Sequence, residues 1–222
     1  MSIRVVMTAY NAEKFIKEAI ESIISQKFKN WNLFVVDGNS NIETQKILKK
    51  YINHPKINII WLKKNKRAGF CRNLAIRSSR AKYIAFIDSD DIWDKEKLSK
   101  QLLFMIKNKY YFTYTNYYTF NSGDDKKDIS RKINVPKYFT FEKFIKNTSI
   151  ATSTMIIKRS AVGNIKFTNS KICEDYFFKC QILKKVNYYL NSPSESYQHP
   201  YQIHHHNSQF LQMFPFHYKI QY

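Results

Sequence analysis

The chain has 222 residues, 44% of them apolar and 16% aromatic, which is enough for a sizeable core and argues against a disordered chain. Four glycines, Gly38, Gly69, Gly123 and Gly163, stand too far apart to write a glycine-rich phosphate loop. The net charge of +20 suits nucleic acid, an anionic membrane surface or an anionic substrate, and is equally what a Lys- and Asn-rich composition gives without selection for binding. Cys71, Cys173 and Cys180 are odd in number and lack CxxC spacing, so neither a disulfide framework nor a zinc knuckle is expected, and reduced thiols are. The apolar run at the start is too short for a signal peptide. No stretch approaches the ~20 apolar residues that span a bilayer. The expectation is a soluble protein, or one resting on a membrane surface.

In chain order, the first half alternates strand and helix. Ile3–Thr8 is β-branched and apolar, as a buried parallel strand requires. Phe15, Ile16, Ala19, Ile20, Ile23 and Ile24 recur at helical spacing, with Asn11 placed to cap. Strands are predicted at Trp31–Asp37, Ile57–Leu62 and Tyr83–Ile87. Helices are predicted around Ile42–Ile52 and Arg67–Ser79, with a further one capped by Asp94 and carrying Leu98, Leu102, Met105 and Ile106. Such βα units imply a mostly parallel sheet with helices on both faces. The second half is less regular: an aromatic strand at Tyr110–Phe120, a polar loop at Asn121–Lys132, a short helix at Phe141–Lys146, a strand at Thr152–Lys158, and an amphipathic helix at Glu174–Val186. No repeat or linker divides the chain, so one domain over residues 1–222 is expected, with halves at 1–109 and 110–222.

Ligands of open α/β sheets bind beyond the carboxyl ends of the strands. There the sequence places Thr8, Ala9, Tyr10 and Asn11 after the first strand, Asp37 after the second, and Asp88, Ser89, Asp90 and Asp91 after the fourth. Three carboxylates in four positions repel one another unless a cation neutralises them. Hard oxygen donors on a rigid strand end suit Mg²⁺ or Mn²⁺, which commonly take their remaining ligands from phosphates and water. The competing reading is an acidic helix N-terminus, favoured by the helix dipole. Asp91 is assigned to that reading, and Asp88 and Asp90 to the metal.

The segments "VVMTAYNAEKFIKEAIESIISQKFKNWNLFVVDGNS", "RAGFCRNLAI", "AKYIAFIDSDDIW" and "CEDYFF" together resemble glycosyltransferase family 2 over about Ile3–Val186. The resemblance implies the GT-A fold, a Rossmann-like sheet with a smaller acceptor-side half. It implies nucleotide-sugar binding by residues 1–109, and acceptor binding with the catalytic base in 110–222. The reaction implied is an inverting, metal-dependent transfer from a nucleotide-diphosphate sugar, a UDP-sugar favoured, to a glycan or lipid-linked acceptor in surface polysaccharide or lipopolysaccharide synthesis. By position, Asp88 and Asp90 match the DxD acids, with Asp90 the better metal ligand and Asp88 on ribose or metal. Tyr10 matches the aromatic that stacks on the base, supported by Thr8 and flanked by Ala9 and Asn11. Asp37 matches the acid that reads the base edge, Arg72 a cation facing ribose or phosphate, and Ser89 the middle of the DxD run. Asp175 matches the base, with Glu174 beside it. His204 in "PYQIHHHNSQF" matches a histidine that contacts metal or diphosphate in several relatives. Ordinary readings stand beside these: Tyr10 as a surface aromatic, Arg72 as a solvated helix residue, Glu174 as a helix-dipole partner.

Mn²⁺ or Mg²⁺ is the expected cofactor, and a cytoplasmic location, peripheral at the inner face of the membrane, would suit the basic charge. Two other classes compete. A nucleic-acid-binding module would use the charge and the run Tyr110, Tyr111, Tyr114, Tyr117, Tyr118. The Asp88–Asp91 cluster would repel its phosphates, so nucleic acid is not the expected partner. A pseudoenzyme that binds sugar nucleotides without transfer is the other.

Overall fold

The computed structural model describes residues 2–78, 80–120, 129–190, 198–199 and 203–205. Strand and helix alternate through β1 (Ile3–Ala9), α1 (Ile16–Ile24), β2 (Trp31–Asp37), α2 (Ile42–Lys49), β3 (Ile57–Trp61), α3 (Ala68–Arg77) and β4 (Tyr83–Asp88). A tight turn leads to β5 (Asp91–Trp93) and α4 (Lys97–Lys107). Then come β6 (Phe112–Thr115), β7 (Tyr117–Phe120), β8 (Ile129–Ile133) and α5 (Phe141–Lys146). A 3-10 turn (Thr152–Thr154), β9 (Ile156–Lys158), α6 (Arg159–Val162), α7 (Glu174–Leu190), β10 (Gln198–His199) and β11 (Ile203–His205) complete the order.

The main sheet runs β10-β6-β9-β4-β1-β2-β3, so strands from both halves of the chain share it. The β4-β1-β2-β3 block is parallel, while β9 is antiparallel to both β4 and β6. Its two faces carry two cores. Ile3, Val5 and Met7 of β1 cluster with Ile16, Ile20 and Ile23 of α1 and Leu98, Leu102 and Met105 of α4. Val6 of β1 with Ile84 and Phe86 of β4 cluster instead with Cys71, Ala75 and Ile76 of α3 and Phe178, Ile182 and Leu183 of α7. Alternation within each strand therefore feeds both layers, which is why the strands read as continuous apolar runs. Each fully buried Leu, Ile or Phe contributes about 1.5–3 kcal/mol from desolvation.

A second sheet, β5-β11-β7-β8, stands beyond the end of β4. The aromatic run expected as one strand is two, in different sheets. The break is Asn116, a buried side chain whose Oδ1 accepts from Val135 N at 2.8 Å, and there the chain leaves one sheet for the other. Tyr114 is fully buried and donates its hydroxyl to the Pro136 carbonyl, so this tyrosine belongs to the core. The expected polar loop Asn121–Lys132 partly becomes β8, which pairs with β7; residues 121–128 lie outside the described residues. The strand expected from Thr152 begins at Ile156, because Thr154 N and Met155 N close a 3-10 turn on Ala151 O and Thr152 O. Among the described residues no helix is long and apolar enough to cross a membrane.

Candidate active site

The parallel register sets the site. Thr8 pairs with Asp88 on one side and Val36 on the other, and Ala9 pairs with Asp37, so three strand ends finish level. From these ends rise two loops. Tyr10 is 53% exposed at the rim. Asn11 takes φ +48°, a left-handed conformation that Asn tolerates better than most residues. It does not cap α1, which has no side-chain cap: its Oδ1 accepts from Asn41 N at 2.8 Å, and its own amide donates to Ser40 Oγ. Gly38 N donates to the Ala9 carbonyl. Asn41 caps α2 by accepting from Thr44 N, and Glu13 accepts from both Asn41 and Thr44. Asp37 lies at the root of this rim, 1% exposed, its two oxygens accepting from the Ser40 hydroxyl and amide.

Asp88, Ser89 and Asp90 are all half-buried where β4 gives way to the turn. Asp91 is not at a helix N-terminus. It opens β5, fully buried, and accepts from the Ser153 hydroxyl. Asp94 engages the turn just ahead of α4, its Oδ1 accepting from Glu96 N at 2.8 Å. Ser153 Oγ also accepts from Asp88 N at 2.9 Å, and Trp93 Nε1 donates to the Ser153 carbonyl. The 3-10 turn thus grips both sides of the acidic turn.

Arg72, one turn into α3, ties the halves together. Its Nη2 donates to Asp88 Oδ1 at 2.8 Å and its Nη1 to Glu174 Oε1 at 2.6 Å. It is 7% exposed, not solvated, with its guanidinium over the Phe167 ring at 5.3 Å. Phe167 in turn stacks on Phe178, centroids 3.9 Å apart. Burial works against the Arg72 charge, but Asp88, Glu174 and Asp175 outweigh it and hold the guanidinium ionised. Gly69 makes this approach possible: a Cβ there would lie 2.1 Å from the Thr168 carbonyl oxygen and 3.2 Å from Glu174 Cγ.

Asp175, next to Glu174 at the start of α7, receives Lys179 Nζ at 2.6 Å and Thr152 Oγ1 at 2.9 Å, both on Oδ2. Burial pushes its pKa up, but Lys179 and Arg72, with the two hydrogen bonds, hold the carboxyl well below the usual aspartate range. Thr152, Ser153 and Lys179 contact the candidate site residues and were missed by the sequence reading. Lys179 had a signal, its i,i+4 spacing from Asp175; Thr152 and Ser153 had none. The backbone of His204 lies in β11 opposite Ile92, two residues beyond Asp90.

Asp88 and Asp90 supply hard oxygen donors on a rigid turn, and among the described residues no group of three His, Cys, Asp or Glu side chains could hold an ion by itself. Such a short donor set fits Mg²⁺ or Mn²⁺ carrying ligands from a diphosphate and water, and would not fit a closed structural site.

Residues 4–166 match the model of Glycosyl transferase family 2. Two curated relatives are a putative teichuronic acid biosynthesis glycosyltransferase of Bacillus subtilis, TuaG, and an Escherichia coli UDP-Glc:alpha-D-GlcNAc-diphosphoundecaprenol beta-1,3-glucosyltransferase, WfgD. The first is 32% identical over 82% of this chain and 72% of its own length. The second is 33% identical over 83% of this chain and 71% of its own. Among solved structures, S. aureus TarS in complex with UDP-GlcNAc superposes with TM-score 0.75 and 22% identity, over 93% of this chain and 59% of that one. A mannosyltransferase from Pyrobaculum calidifontis, solved with GDP-Man and Mn²⁺, superposes with TM-score 0.66 and 13% identity, over 90% of this chain and 56% of that one. This chain thus spans somewhat under three fifths of the length of these two structures. The mixed α/β architecture is that of these GT-A neighbours.

Proposed function

The chain belongs to glycosyltransferase family 2, and on that premise we propose that it transfers a sugar from a UDP-sugar to a lipid-linked glycan acceptor, with inversion at the anomeric carbon. The observation that carries this reading is the Arg72 bridge, which ties an acidic strand end suited to a diphosphate to the Glu174–Asp175 pair through one guanidinium. The curated relatives support the substrate classes: one is named for a UDP-glucose donor and a diphosphoundecaprenol-linked acceptor, another for teichuronic acid synthesis.

In this proposal Tyr10 stacks on the nucleotide base, Thr8, Ala9, Asn11 and Ser89 line the nucleoside, and Asp37 holds the rim through Ser40. Asp88 and Asp90 would hold Mg²⁺ or Mn²⁺; the further ligand expected at His204 has its side chain outside the described residues. A divalent ion held there would supply positive charge to stabilise the departing diphosphate. Asp175 accepts the proton of the acceptor hydroxyl while that oxygen attacks the anomeric carbon. The bond to the diphosphate oxygen breaks on the opposite face, its electron pair leaving with the phosphate. Positioned general-base help of this kind contributes about 10²–10⁴-fold. Residues 1–109 serve as the donor half and 110–222 as the acceptor half of one domain. A lipid-linked acceptor places the protein at the cytoplasmic face of a membrane, where its +20 charge favours anionic headgroups.

Calorimetry with UDP, GDP and dTDP, with and without Mn²⁺, tests the donor side. We expect metal-dependent UDP binding that Asp90→Asn removes, and release of UDP from a UDP-sugar that Asp175→Asn abolishes while UDP binding persists. Nucleotide binding without release in any donor and acceptor panel makes the protein a pseudoenzyme. Steeply salt-dependent oligonucleotide binding without UDP binding overturns the reading.

A further inference from the structure

We propose that Lys179 and Thr152 are positioning residues that decide which oxygen of Asp175 takes the proton, by fastening Oδ2 and leaving Oδ1 to face the acceptor. This rests on the assignment of Asp175 as the base. Both donors converge on one atom: Lys179 Nζ stands 2.6 Å and Thr152 Oγ1 2.9 Å from Oδ2, and among the described residues no hydrogen bond reaches Oδ1. The two come from different elements, the base's own helix and the 3-10 turn, so the carboxyl plane is fixed from two directions. Lys179 is 4% exposed, a buried cation whose position is set by this carboxylate. Ser153, the next residue after Thr152, holds the acidic turn through Asp91 and the Asp88 amide. A single three-residue segment therefore registers the base against the donor site.

The arrangement trades basicity for geometry. Among the described residues, the charged and titratable groups around Asp175 are Lys179 and Glu174 on α7, Cys173 just before it, and Arg72 on α3; Thr152 is a neutral donor. Two cations keep the carboxyl ionised, at the expense of proton affinity. Catalysis then leans on a fixed oxygen in near-attack geometry rather than on a strongly basic one.

The test compares Lys179→Met, Thr152→Val and Thr152→Ser in the full chain, reading kcat, KM, the pH profile of kcat/KM, and UDP affinity by calorimetry. Lys179→Met should move the acidic limb of kcat/KM up by about one pH unit or more and lower kcat by about 10–100-fold, with UDP affinity within twofold. Thr152→Val should lower kcat about 3–10-fold with little movement of the limb, and Thr152→Ser should restore it. An unchanged pH profile and kcat in a folded Lys179→Met protein overturns the proposal. If Lys179→Met does not fold, Thr152→Val decides: kcat within twofold of the unmodified enzyme overturns the proposal, and loss rescued by Thr152→Ser supports it. The two levels separate cleanly, because full turnover by Asp175→Asn refutes the base itself, whereas an inactive Asp175→Asn beside an unperturbed Lys179→Met refutes the positioning alone.

Discussion

Replacing Arg72 with Met removes both ends of the bridge between Asp88 and Glu174 while keeping much of the apolar stem over Phe167. Each charge-assisted hydrogen bond is worth about 1.5–3 kcal/mol, and stripping one partner from a buried pair costs about 3–5 kcal/mol. The two carboxylates keep some water, their side chains being 29% and 16% exposed, so neither is left wholly uncompensated. The loss of one desolvated guanidinium also returns part of the cost. The expected net destabilisation is about 2–4 kcal/mol. For a chain of this length that corresponds to a fall in melting temperature of roughly 4–16 °C. Differential scanning fluorimetry reads it directly, and Arg72→Lys sharpens it. A single ammonium cannot reach two carboxylates with the geometry of a planar fork, so Lys should recover half the loss at most. A melt within 2 °C of the parent for Arg72→Met would show that the bridge is energetically idle and that another contact fixes the two acidic elements together.

Gly69→Ala pits two effects against each other. Helix propensity alone favours Ala by about 0.8–1 kcal/mol, but the new Cβ would sit 2.1 Å from a backbone carbonyl that cannot swing aside. The clash prevails, and urea unfolding should show a net loss of about 1–3 kcal/mol; a stabilised variant would refute the packing argument. Lys97 is fully buried, its Nζ donating to Gln101 Oε1 and lying 4.2 Å from the centroid of the Trp93 ring, and burial pushes its pKa well down. A lysine whose folded pKa is lowered penalises the fold while it is charged, and that penalty fades as pH rises from the lowered value to the unfolded value of about 10.4. Stability should therefore rise through this alkaline window relative to Lys97→Met, which should lack that component. Thermal melts of both proteins between pH 7 and 10 check it, and parallel curves would count against the desolvated amine.

The apolar strands and helical stripes of the first 109 residues were largely legible because period and strand composition agree there, whereas the caps were not: Asn11 and Asp94 do not cap α1 and α4. The strand-end acids Asp37, Asp88 and Asp90 followed from the same reading, since chain connectivity alone puts those residues where parallel strands stop. Local rules failed where partners are far apart. Asn116 splits an aromatic run because Val135, 19 residues on, supplies the donor for its side chain. Asp91 looked like a helix-start acid until Ser153, 62 residues away, claimed it. Arg72 was expected to face ribose or phosphate, with a solvated helix position as the alternative, yet its two carboxylate partners lie 16 and 102 residues along the chain. Sequence by itself determined the strand and helix order of the first half, and so which side chains stand at the strand ends. The tertiary structure alone decided how they are paired, because a buried charge takes the partner that packing brings within hydrogen-bond reach, and that distance is set by the meeting of strands and helices rather than by spacing in the chain.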